Sequence, residues 1–304
     1  MSLHITPEFK AKVVQALFEA RTKFDGTDAQ YAKQWGINNA VYSTLKSVKS
    51  YDGLLKDAQW LTIGRQLGVS ANERKWVTAK TDVYVAMYED ISFCQANSKA
   101  MMYVDECGIG KSFNAMSIAR QLRNCFYVDA SQAKTKQAFI RLLARTIGVD
   151  DRDKYLQVKT NIKYALTNLP QPMVIIDEAG DLEYPAFLEL KELWNATTNL
   201  CGWYMMGADG LRAKIERGIS VKKVGYAEIF SRFSERFGRV VPSDRTNRVL
   251  FYKKLFTDVL SANMTDKRDL PKIVNKCLAQ DTGEIGSLRR AETILLMYNN
   301  QTPA

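Results

Sequence analysis

Between residues 100 and 208, short apolar runs alternate with longer stretches in which apolar residues return every three or four positions. The runs are AMMYV (100–104), CFYVDA (125–130), PMVIIDEA (172–179) and CGWYMMGA (201–208). They are short and apolar on successive positions, the pattern of strands buried on both faces of a parallel sheet. The stretches between them, such as KTKQAFIRLLARTIGV and YPAFLELKELWNATTN, carry the helical period. Strand–helix alternation predicts β-α units and an α/β domain over residues 76–242. Pro242 breaks the pattern, and residues 243–304 have a helical pattern punctuated by Pro271 and the GEIG turn. Residues 1–75 form a third part, short helices separated by glycines, joined to the middle by the linker SANERKW.

One strand-to-helix junction carries candidate chemistry. MMYVDECGIGKS (101–112) ends in Gly110, Lys111 and Ser112, the close of a G-x-x-x-x-G-K-[ST] phosphate loop, but Asp105 stands at the place of the first glycine. A strand precedes the loop, and KSFNAMSIARQLR supplies the helix after it, so backbone N–H groups of Gly108, Ile109, Gly110, Lys111, Ser112 and Phe113 are expected to face phosphate. Lys111 would reach the β and γ phosphates and Ser112 would bind Mg²⁺. Aspartate tolerates turn conformations, so Asp105 weakens the motif without abolishing it, while placing a carboxylate near phosphate.

A second strand end sharpens the reading. MVIIDEAGD finishes an apolar run on Asp177-Glu178. Asp177 would hold the Mg²⁺ shell and Glu178 would polarise the attacking water. Each motif alone has a bland counterpart, a glycine turn or an exposed acidic turn. Two in order, each at a strand end, point to a nucleoside triphosphate site with Mg²⁺ as cofactor. Developing charge on phosphate also needs cations, and SRFSERFGRVVP offers Arg232, Arg236 and Arg239 while GEIGSLRRAE offers Arg289 and Arg290.

Composition narrows the remainder. One histidine, His4, excludes Ser-His-Asp and Cys-His catalysis and histidine-rich zinc sites. Five scattered cysteines without a C-x-x-C pair, no apolar run of about 18 residues, and no secretory pattern point to a cytoplasmic protein with reduced thiols and no membrane partner. The net charge of +10 suits a polyanionic partner or a merely basic surface. Residues 212–239 hold eight Lys/Arg against three Glu, and Lys222 and Lys223 are candidates for DNA phosphates or plain solvated lysines.

DAQYAKQWGINNAVYSTLKS (28–47) has the spacing of a helix-turn-helix. Ala32 is small where two helices meet, Gly36 allows the turn, and Ile37, Tyr42 and Leu45 pack the second helix on the first. Asn38, Asn39, Ser43, Thr44 and Lys46 would then face DNA, with plain helix caps as the alternative for the two asparagines.

The middle and last parts resemble an AAA+ ATPase, a P-loop NTPase core with a parallel sheet and a C-terminal helical lid, here following a small all-α helix-turn-helix domain. GEIGSLRRA resembles the sensor 2 segment, which implies that Arg289 reaches the nucleotide. RFSERF resembles the arginine-finger segment, which implies that Arg236, or else Arg232, enters a neighbouring subunit's site. MMGADGL resembles the sensor 1 strand end, with Asp209 as its polar residue. Within that class, residues 76–304 resemble the transposition ATPases of the MuB, TnsC and TniB type. The resemblance implies ATP as the nucleotide, and a slow, DNA-stimulated ATPase that forms a ring or filament on double-stranded DNA and selects target or recruits a transposase. A helicase loader or replication initiator of the IstB or DnaC type, and a nucleotide-responsive transcription regulator, are the alternatives.

Overall fold

The computed structural model describes residues 5–22, 24, 26–48, 50–70, 76–279 and 285–301. His4, most of the SANERKW linker and the first half of the GEIG turn lie outside them. The chain divides into two compact units, Met1–Trp76 and Val77–Ala304.

The first unit is all-helical. Helix α1 (Pro7–Arg21) starts on a Thr6 cap with proline in its first turn, and α2 (Asp28–Gln34) starts on a Thr27–Gln30 capping box. A turn through Gly36, at φ +65°, leads to α3 (Asn39–Leu45), and α4 (Asp57–Gln66) completes the unit. Left-handed backbone is what glycine permits at low cost, and the Ile37 N–H closes the turn on the Ala32 carbonyl at 2.9 Å. Ala32, Ile37, Tyr42 and Leu45 are all buried, together with Val13, Leu17, Tyr31 and Trp60.

The second unit is built on one parallel sheet. After α5 (Asp82–Asn97) come β1 (Ala100–Val104), α6 (Lys111–Gln121), β2 (Cys125–Asp129), α7 (Lys136–Ile147), α8 (Tyr155–Asn168) and β3 (Met173–Asp177). Then follow α9 (Tyr184–Ala196), β4 (Gly202–Gly207), α10 (Asp209–Ser220), α11 (Tyr226–Arg232) and the short β5 (Phe237–Gly238). Strand order is β2-β3-β4-β1-β5, every pair parallel. β3 and β4 are buried at every position, while β2 is mostly half-buried. The expectation of two-sided burial therefore fails at β2, because it is an edge strand with one neighbour. Gly202 admits no side chain: a Cβ there would lie 2.6 Å from the Cys94 carbonyl oxygen.

Helices α12 (Arg245–Asn263), α13 (Leu270–Leu278) and α14 (Leu288–Gln301) pack on one another as the final helical layer. No helix among the described residues is long and apolar enough to cross a membrane.

Candidate nucleotide site

In this strand order β4 separates β1 from β3, so the loops leaving β1 and β3 flank the carboxyl end of β4. In open α/β sheets that edge is where ligands bind. The β1–α6 loop holds Gly108 at φ +76° and Gly110 at φ +94°, and Gly110 is the cap of α6. Two left-handed residues in three curl the loop tightly enough to turn its amides inward. Ile109 is fully buried, so only its backbone faces the loop; Phe113, in the first turn of α6, is exposed.

Lys111 is 8% exposed, and its ammonium donates to the carbonyls of Asp105 and Glu106 at 2.7 and 2.6 Å. Burial lowers its pKa, and Cys107, Asp105, Glu178 and Asp177 act against that shift.

Asp177 is buried, with both carboxylate oxygens engaged. Oδ1 accepts from the Glu178 N–H at 2.8 Å and Oδ2 from the Tyr127 hydroxyl at 2.6 Å. Ser112 lies in the first turn of α6. Glu178 has left-handed backbone, φ 47°, an unfavourable state for a residue with a Cβ. Its side chain is exposed, and its pKa is raised, first by desolvation and next by the Asp177 carboxylate.

The Asp105 side chain is buried and engaged by protein donors. Its Oδ2 accepts from the N–H groups of Val240 and Val241 at 2.7 and 3.1 Å and from the Tyr103 hydroxyl at 3.2 Å. Its Oδ1 takes the Glu106 N–H at 2.9 Å. The side chain ties the loop to the segment leaving β5. Next in sequence, Glu106 binds Arg248 at 2.8 Å and the Tyr252 hydroxyl at 2.6 Å, both on α12, with Arg239 at 3.8 Å.

The last helix also touches the loop. The Leu288 N–H donates to the Gly108 carbonyl at 2.8 Å, and a Cβ on Gly108 would lie 2.4 Å from Ser287 Cβ. Arg289, the following residue, is exposed, whereas Arg290 reaches back to the Ala279 carbonyl at 3.4 Å. Asp209 is exposed in the first turn of α10, just past β4.

The two finger candidates part company. Arg232 stacks its guanidinium over Trp194 at 5.1 Å, with one terminal nitrogen buried and unbonded. Arg236 is exposed, behind Ser234 and Glu235 at φ 69° and 52°. Consecutive left-handed residues are costly, and the loop is pinned by Ser234 Oγ on the Ala100 carbonyl at 2.7 Å.

Residues proposed for DNA contact divide similarly. Asn38 caps α3 by accepting from the Ala40 N–H at 2.9 Å, so the cap alternative describes it. Thr44 donates to the Ala40 carbonyl at 2.9 Å, and Lys46 pairs with Asp28. Asn39 and Ser43 are exposed on α3. Lys222 and Lys223 sit on the exposed α10–α11 loop, with Lys223 over the Tyr184 ring at 3.9 Å.

Tyr127 and Glu106 are parts of the site that sequence patterns do not reveal, and the anchoring role of Asp105 is equally silent in them. The partners of Tyr127, Asp105 and Glu106 lie 50, 135 and 146 positions away.

The parallel five-strand order, the curled loop on β1 and the acidic end of β3 define the AAA+ P-loop fold. Residues 96–215 match the AAA domain family model. Among solved structures, the chain resembles the Aeropyrum pernix ORC2 protein in its ADPNP and ADP complexes, with TM-score 0.52 and 17% identity. That likeness covers 75% of this chain, which spans 64% of the ORC2 chain. No curated protein matches in sequence.

Proposed function

We propose that this protein binds ATP with magnesium, hydrolyses it slowly, and thereby controls an oligomer on double-stranded DNA that regulates transposition. One observation carries the catalytic part: the curled loop with buried Lys111 leaves β1 and the Asp177-Glu178 pair closes β3, on either side of the carboxyl end of β4. The fold neighbour's ADPNP and ADP support an adenine nucleotide as ligand.

Phosphate oxygens would take Lys111 from its two carbonyls, and the loop amides of Gly108 to Ser112 would complete the cradle. Glu178 would orient the attacking water and accept its proton. Arg289 would sense the phosphates from the lid, Asp209 from the end of β4, and Arg236 would offer its charge to a neighbouring copy. Among the described residues no group of three or more His, Cys, Asp or Glu could hold a metal ion. Asp177, held by one donor on each oxygen at the end of β3, and Ser112 in the first turn of α6 nevertheless fit a magnesium held jointly with phosphate. When bound, that ion would neutralise charge developing on the phosphoryl oxygens.

DNA binding draws support from the net charge of +10 and from the exposed Asn39, Ser43, Lys222 and Lys223. Transposition draws support from the resemblance to MuB, TnsC and TniB. The likeness to the ORC2 fold favours a second reading, a loader or initiator ATPase with the same core. Stimulation of a transposase distinguishes the first, and co-purification with a replicative helicase the second.

Calorimetry and turnover assays test the core claim. Wild type takes up ATP, Lys111→Ala does not, and Glu178→Gln binds without hydrolysing. DNA affinity that ignores ATP in wild type and in Lys111→Ala would sink the coupling.

A further inference from the structure

We infer that Tyr127 is a positioning residue for the magnesium site, holding the Asp177 carboxylate in register through its phenolic oxygen. The inference rests on the ATPase reading above and deepens it. Tyr127 lies on the edge strand β2, opposite Ile175, while Asp129 lies opposite Asp177. Partners in a parallel pair share a face, so the Tyr127 ring leans along the strand and delivers its hydroxyl two positions on. There it donates to Asp177 Oδ2 at 2.6 Å. The other oxygen is fixed by the Glu178 N–H at 2.8 Å, so the carboxylate is held at both ends.

This arrangement sets the carboxylate's rotation. One lone pair on each oxygen is spent on protein donors, and the others keep a fixed direction. Asp177 closes β3, and the phenol from the neighbouring strand is the side-chain donor that fixes its carboxylate. Groups that orient metal ligands are worth roughly 10- to 100-fold in metal affinity. A phenyl ring in the same place fills the same volume and lacks the donor.

The test is Tyr127→Phe in the full chain, measured as binding of a fluorescent ATP analogue with Mg²⁺ and with EDTA, and as Mn²⁺ electron paramagnetic resonance with nucleotide present. Expected is an unchanged affinity in EDTA, a metal-strengthened affinity reduced by about 10-fold or more, and a broadened Mn²⁺ spectrum. Equal losses with and without metal would mean that the hydroxyl only maintains the pocket, and would overturn the inference. An unaltered metal dependence would overturn it as well. Wild-type protein that binds nucleotide without any gain from Mg²⁺ overturns this inference alone; wild type that binds no nucleotide overturns the ATPase reading beneath it.

Discussion

The Val240 N–H donates to Asp105 Oδ2 across 2.7 Å, joining the first position of the phosphate loop to the chain leaving β5. The residue that breaks the consensus is thus the one that anchors the loop. Its carboxylate is buried and accepts from two amides and a phenol.

Restoring the consensus should therefore harm the protein. Asp105→Gly strips the Val240 and Val241 amides of their acceptor and frees the loop's entry. Hydrogen bonds to a charged group contribute about 1.5 to 3 kcal/mol, so a stability loss of roughly 2 to 4 kcal/mol is expected. Urea denaturation measures it. A variant as stable as wild type would show that the clasp contributes nothing.

Gly108→Ala should displace the lid. The new methyl meets Ser287 at 2.4 Å, at a backbone φ of +76°. The left-handed state alone costs about 1 kcal/mol, and the overlap adds to it. Hydrogen exchange should rise over residues 285–295, and the double variant Gly108→Ala/Ser287→Gly should recover most of the protection. Protection unchanged in the single variant would argue that the Leu288–Gly108 bond is not a seat for α14.

The loop and both acidic residues were legible because their spacing is local: a strand, a curl and a helix start lie within about a dozen residues. Lys111 and Glu178 needed no more than that. Asp105 was not legible, since its partners Val240 and Val241 arrive only when β5 pairs with β1. Tyr127 was silent for the same reason, reading as one aromatic in an apolar strand. Nor does spacing distinguish Arg232 from Arg236: only the packed Trp194 and the turn at Ser234-Glu235 separate them.

On DNA, the α10–α11 loop and α3 should behave differently. Lys222→Ala/Lys223→Ala removes two cations from an exposed loop, and the slope of log affinity against log salt should fall by about 2. Lys46→Ala should change that slope little, because Asp28 already neutralises it. Fluorescence anisotropy across a salt series measures both. A slope unmoved by the double lysine variant would remove that loop from the DNA interface.

Arg236 gives the strongest test of assembly. Its exposed guanidinium stands on a strained, pinned turn, whereas Arg232 is absorbed by Trp194 at 5.1 Å. Arg236→Ala should leave nucleotide affinity and stability near wild type and lower turnover by roughly 10³-fold, the scale of a finger arginine. Arg232→Met, which keeps an apolar stem over the indole, should turn over normally and shift stability by no more than about 1 kcal/mol. Mixing then decides where the arginine acts. Arg236→Ala subunits retain an intact Glu178, and Glu178→Gln subunits retain an intact Arg236. If the finger acts across an interface, the mixture regains hydrolysis that neither variant shows alone. If Arg236 acts within its own chain, the mixture stays as inactive as its parts, and the intersubunit site must be abandoned.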